Sequence, residues 1–181
     1  MHMKKTVALI WIEGGEEEIL RQTLEYFGYL VLSYKIGRPQ HFIDILAGNT
    51  SITFDYVIIC CHGEDGEIST MPKLGEDIYF PDEPRGNFGS KEIEKYLSLK
   101  DTCIINTGCT TGGCEEMVKA FAKNNNTYIA PNDYIEGDSG LTFVILFFYY
   151  LCSNIHGFDI ESAYTKASSL DSETNLYVLR K

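Results

Sequence analysis

Two short apolar runs that stop abruptly at small or polar residues constrain this chain most. The first is Asp55-Tyr56-Val57-Ile58-Ile59-Cys60-Cys61-His62-Gly63. The second is Asp101-Thr102-Cys103-Ile104-Ile105-Asn106-Thr107-Gly108-Cys109-Thr110-Thr111-Gly112-Gly113. Runs rich in Ile and Val with no polar alternation are the pattern of strands buried on both faces, which is the habit of parallel sheets. Parallel neighbours lie about 5 Å apart and end on the same side. A histidine closing one such strand and a cysteine closing the other are thereby brought toward one another.

The rest of the chain alternates strands and helices. Strands are predicted at Thr6–Trp11, Tyr29–Tyr34, Asp55–Cys61, Thr102–Asn106, Thr127–Ala130 and Asn175–Leu179. Helices are predicted over Glu16–Phe27, His41–Leu46, Ser90–Leu97 with Ser90 as cap, Gly113–Lys123, the apolar stretch Leu141–Cys152, and a last helix capped by Asp159 and running to Ser168. Glu64–Gly89, rich in Gly, Pro, Asp and Glu, is a long excursion with a brief extended piece at Asp77–Phe80. The order predicts an α/β fold, a six-stranded, mainly parallel sheet with helices on both faces. Residues 1–181 are read as a single domain, with ligands at the carboxyl ends of the strands.

A net charge of −11 argues against nucleic acid and anionic membrane as partners. The longest apolar stretch is too short to cross a bilayer, which takes about 20 residues. None of the six cysteines forms a Cys-x-x-Cys pair, and the opening residues show no signal peptide, so a cytoplasmic location is expected. No Gly-x-Gly-x-x-Gly follows the first strand, Glu115 stands where a phosphate-binding cysteine loop needs arginine, and Cys109 and Cys114 lack a second pair for zinc. No cofactor and no metal are expected.

A thiolate attacks carbonyl carbon well, and a nearby imidazole can protonate the leaving group. His62 and Cys109 are therefore the candidate catalytic pair. The N–H groups of Gly63 and Cys109 are candidate donors to a developing oxyanion. The plain alternative is that His62 is a turn residue and Cys109 a packed thiol. The acidic run Glu16-Glu17-Glu18 reads as a solvated helix start.

The order strand–His62-Gly63, excursion, helix, strand–Cys109 resembles the caspase-like cysteine peptidases, and looks closest to CHAT and gingipain-like domains. The cysteine strand Ile104-Ile105-Asn106-Thr107-Gly108-Cys109-Thr110-Thr111-Gly112 is similar to theirs, with Gly108 in place of the usual alanine. The tryptophan many CHAT domains carry in the following loop is absent, and Tyr134 stands roughly there. The resemblance implies a caspase-like three-layer sandwich and a cysteine endopeptidase with a His62–Cys109 dyad. It also implies an acidic residue on the substrate side that binds Lys or Arg: Asp138, with Asp133 and Glu136 as rivals. Its partners would be a protein or peptide substrate and a regulatory protein. A catalytically silent interaction module on the same fold is the alternative.

Overall fold

The computed structural model describes residues 5–69, 71–152 and 156–181. Its centre is a six-stranded sheet in the order β2-β1-β3-β6-β7-β8. The strands are β1 (Thr6–Trp11), β2 (Leu30–Lys35), β3 (Tyr56–Cys60), β6 (Cys103–Asn106), β7 (Thr127–Pro131) and β8 (Tyr177–Arg180). All neighbours are parallel except β8, which runs antiparallel to β7. All six predicted strands form. A separate two-stranded hairpin, β4 (Gly63–Glu64) and β5 (Glu67–Ile68), follows β3.

The central strands β3 and β6 are buried along their whole length because helices cover both faces. Successive side chains alternate between two cores. Val57 and Ile59 join Ala8, Ile10 and Ile104 on one face, beneath α2 (Pro39–Leu46), α3 (Ser90–Tyr96) and α4 (Glu115–Ala122). Ile58 and Cys60 join Val7, Leu9 and Ile105 on the other, beneath α1 (Glu17–Tyr26), α5 (Gly137–Leu151) and α6 (Ile160–Ser168). Phe147 and Phe148 of α5 are fully buried there. No helix among the described residues is long and apolar enough to cross a membrane.

Several boundaries differ from the sequence expectation for identifiable reasons. Helix α2 begins two residues earlier than expected because Pro39, whose fixed φ suits a first helical position, starts it. Helix α5 takes in Gly137-Asp138-Ser139-Gly140, residues that look like a loop but follow Glu136 in an extended capping conformation. The cap of α3 is Gly89 rather than Ser90, and its N–H donates to the Glu92 carboxylate (3.1 Å). Asp159 does cap α6, accepting from the Ser162 N–H (2.7 Å). Asp77–Phe80 is a turn, not an extended piece.

The excursion is held by one buried carboxylate. Glu83 accepts from Arg38 Nε (3.0 Å) and Nη2 (2.6 Å), from the Gln40 N–H (2.7 Å) and from the Phe80 N–H (2.9 Å). It ties the loop to the first turn of α2, while the Arg38 guanidinium lies over the Phe80 ring. The Arg38 hydrogen bonds hold the Glu83 carboxyl down at about 2, against an ordinary 4.5. A carboxyl with a lowered folded value binds fewer protons when folded, so its contribution is complete above pH 4.5 and lost as pH falls toward 2. Glu83→Gln is expected to cost about 3 kcal/mol in urea unfolding at pH 7, since it leaves Arg38 without its charge partner. In the same titration the variant should show a shallower loss of stability between pH 4.5 and 2 than the unsubstituted chain.

Candidate active site

The carboxyl ends of β1, β3, β6 and β7 open onto one cleft of about 270 Å³. Its lining includes Glu13, Gly14 and Glu16 from the β1–α1 loop, Cys61 and His62 from the end of β3, and Thr107 and Cys109 from the end of β6. Ile135, Glu136, Gly137 and Gly140, from the entry to α5, complete it. The location follows from topology. Chain leaving β1 goes to β2 on one side, whereas chain leaving β3 goes to β6 on the other, and a crevice opens where the order switches.

His62 and Cys109 therefore share one wall-to-wall space. His62 is exposed and Cys109 half-buried. They make no hydrogen bond to each other; the Cys109 S–H donates instead to the Ile135 carbonyl at 3.6 Å.

The two strand ends are locked together by backbone packing. A Cβ added to Gly63 would fall 2.2 Å from the Cys109 carbonyl oxygen and 2.8 Å from its nitrogen, so only glycine fits. The Cys109 N–H has no acceptor among the described residues. Gly63 faces Ile68 in the hairpin register, but Ile68 exchanges both its N–H and its C=O with Phe88. Both amides assigned to an oxyanion from sequence thus lie at the contact between the two loops.

Buried Asn106 organises the turn that carries the cysteine. Its Oδ1 accepts from the Gly108 N–H (2.8 Å) and from the Cys61 S–H (3.2 Å), and its Nδ2 donates to the Tyr128 hydroxyl (3.2 Å). Thr110, directly after the cysteine, has φ +62, a left-handed conformation that costs a β-branched residue about 1–3 kcal/mol. Its surroundings enforce it. The Thr110 N–H donates to the Asp133 carbonyl (3.1 Å), Thr110 Oγ1 accepts from the Gly66 N–H (2.9 Å), and its carbonyl accepts from the Gly113 N–H (2.9 Å).

Of the three carboxylates expected on the substrate side, Glu136 lines the cleft. Asp138 and Asp133 are exposed beyond the lining, each accepting from the N–H of the next residue. Sequence reading missed Glu13 and Glu16, which face the cleft from the β1–α1 loop. The available signal was position: that loop follows a strand whose carboxyl end sits beside β3. A slightly larger hollow of about 320 Å³ lies at the opposite end of the sheet. There Lys5 pairs with Asp55, and Asn125 donates to Asp101, so its polar groups satisfy one another.

No protein-family model matches the sequence, and no curated protein does. Among solved structures, the complex of Porphyromonas gingivalis RgpB pro- and mature domains aligns with 94% of this chain, at a TM-score of 0.54 and 13% identity. The fold is caspase-like. The chain spans 44% of the RgpB chain, and at that identity the likeness concerns architecture alone. A semialdehyde dehydrogenase NAD-binding protein from Cupriavidus necator aligns over 76% of this chain and 47% of its own, with 16% identity. Its TM-score of 0.34 is too low to bear on the fold.

Close packing between the two loops explains the glycine at 108. A Cβ there would lie 2.9 Å from Cys61 Sγ, 3.1 Å from Asn106 Oδ1 and 3.2 Å from the Gly63 nitrogen. Alanine, the usual residue here in the family the sequence resembles, would meet Cys61 Sγ at 2.9 Å, so glycine in its place is accommodated and alanine is not. Gly108→Ala should destabilise by about 2 kcal/mol through overpacking. Adding Cys61→Ala, which removes the nearest atom, should recover part of that loss, so a double-mutant cycle by urea denaturation should give a favourable coupling between the two. Strict additivity would mean that Cys61 is not the obstacle.

Proposed function

We propose that this chain is a cysteine endopeptidase of the caspase-like type, similar to CHAT and gingipain-like domains, that cleaves after a basic residue. The observation that carries the proposal is the shared cleft. An imidazole and a thiol from adjacent strand ends open onto one space, with two backbone amides packed together at its edge. In this reading Cys109, as thiolate, attacks the scissile carbonyl carbon. The carbonyl electron pair moves onto oxygen and is stabilised by the N–H groups of Gly63 and Cys109. His62, as imidazolium, gives its proton to the departing amine as the C–N bond breaks, leaving a thioester on Cys109. Water then hydrolyses the thioester, with neutral His62 taking its proton.

Three carboxylates, Glu13, Glu16 and Glu136, stand on the cleft lining, and the chain carries a net charge of −11. Both favour a cationic side chain in the substrate, and in this reading Glu136 takes the role first given to Asp138. The substrate is a protein or peptide. The RgpB structure pairs pro- and mature domains. By analogy, a regulatory protein segment that covers the cleft is the partner expected here.

The S–H bond from Cys109 to the Ile135 carbonyl favours a second reading, in which the fold is kept for binding and the thiol is inert. Alkylation separates the two. Burial pushes the Cys60 and Cys61 thiols far above the ordinary range and Cys103 up to about 12, so these three should not react near neutrality. Half-buried Cys114, with the same degree of exposure as Cys109, is then the internal standard. Cys109 is expected to take up iodoacetamide at pH 6–7 at least tenfold faster than Cys114, and His62→Ala to abolish that advantage. Cys109→Ala should remove peptide hydrolysis while leaving the circular dichroism spectrum and melting temperature unchanged. Equal labelling of the two cysteines together with no peptide hydrolysis would establish the binding reading instead, and full hydrolysis by the Cys109→Ala variant would overturn the role given to Cys109.

A further inference from the structure

The peptide unit joining Gly108 to Cys109 carries one of the two amides given to the oxyanion, and its two ends are treated differently. Its N–H, that of Cys109, meets no acceptor among the described residues. Its carbonyl oxygen, that of Gly108, accepts from the Thr111 hydroxyl at 2.7 Å and, more weakly, from the Thr111 N–H at 3.4 Å. A trans peptide is planar, with C=O and N–H pointing in opposite directions. Whatever fixes the carbonyl therefore fixes the line along which the amide points.

Thr111 is placed to fix it. It is fully buried and is not part of the cleft lining. Its hydroxyl reaches back three residues, across the left-handed turn at Thr110, to the carbonyl it holds. The preceding peptide is held from the other side, since the Gly108 N–H donates to Asn106 Oδ1 at 2.8 Å. Asn106 is anchored in turn by the Tyr128 hydroxyl (3.2 Å), and the Tyr128 ring stacks on Phe121 with centroids 4.5 Å apart. Gly108 has no side chain to restrict its own backbone, so these two hydrogen bonds supply the restriction.

We propose that Thr111 is a positioning residue for this cleft: its hydroxyl, by holding the Gly108 carbonyl, aims the Cys109 N–H at the oxyanion and strengthens it as a donor. The inference rests on the peptidase reading above. With the carbonyl turned toward buried Thr111, the amide points away from it. A hydrogen bond accepted at the carbonyl also draws electron density along the peptide and leaves its N–H more positive, the cooperativity of linked hydrogen bonds. When the Cys109 sulfur attacks, the electron pair of the substrate carbonyl moves onto its oxygen, and a donor already aimed there needs no reorganisation. Without the hydroxyl, the Gly108 carbonyl keeps only the long bond from the Thr111 N–H, and the peptide plane is free to turn about Gly108.

The test separates reactions that build an oxyanion from one that does not. Hydrolysis of a peptide and addition of Cys109 to a peptide aldehyde both move an electron pair onto a carbonyl oxygen. Alkylation by iodoacetamide displaces iodide from a saturated carbon and builds none. Substrate and aldehyde both carry lysine on the acyl side. Thr111→Val keeps the side-chain shape and removes the hydroxyl. It should lower kcat about thirtyfold, less than the roughly hundredfold or more expected when a donor is removed outright. KM should stay within about twofold, as for an interaction made only in the transition state. Aldehyde binding should weaken in parallel with kcat, while iodoacetamide uptake at Cys109 stays within about twofold of the unsubstituted chain. Thr111→Ser, which restores the hydroxyl, should recover most of the lost rate. A Thr111→Val chain with undiminished kcat, or one whose hydrolysis and alkylation fall together, overturns the positioning role and leaves the peptidase reading standing. Absence of both hydrolysis and aldehyde binding in the unsubstituted chain overturns both.

Discussion

The contact between the α-carbon of Gly63 and the peptide of Cys109 is the constraint on which the site depends. The two loops meet main chain to main chain, at distances no side chain could occupy. Such an approach needs the parallel pairing of β3 with β6, which sets Ile59 beside Asn106 and brings both strands to an end at the same level. It also needs a buried polar device to keep the second loop in place. Asn106 provides it, with one oxygen accepting from the Gly108 amide and the Cys61 thiol together. The strained backbone of Thr110 is affordable only because the hairpin and the Asp133 carbonyl hold it from both sides.

The same economy of buried polar groups distinguishes two parts of the molecule. Glu83 is a charge taken out of water with four donors around it, and a loop rich in glycine and proline is fixed to the scaffold by that one carboxylate. Tyr177 is the opposite case, a hydroxyl taken out of water with none. A satisfied buried group is a structural device, whereas an unsatisfied one carries an uncompensated desolvation cost.

Much of the fold was legible in the sequence because strands buried on both faces leave no polar alternation. Tyr56–Cys60 and Cys103–Asn106 could hardly be anything else. That His62 and Cys109 open onto one cleft was legible for a related reason, since each residue follows such a strand and parallel strands end together. The acidic cleft lining was harder to see. Glu16 begins a helix with two more glutamates, where helix-dipole and solvation arguments give a sufficient account, and its sequence neighbours say nothing about β3 lying beside it. Asp138 drew attention by position in a family pattern, whereas it is Glu136, in the extended capping position just before α5, that lines the cleft.

The sequence by itself determined the kinds and order of the elements, the parallel character of the sheet, and which end of it carries His62 and Cys109. Those properties follow from periodicity and from where apolar runs stop, and both are local. Tertiary structure alone decided that Gly108 must lack a side chain and that the hydroxyl of Tyr177 stands buried without a partner among the described residues. These depend on atoms brought within a few ångströms from strands far apart in the chain, and close packing registers differences of a single methyl group that no pattern of residue types records.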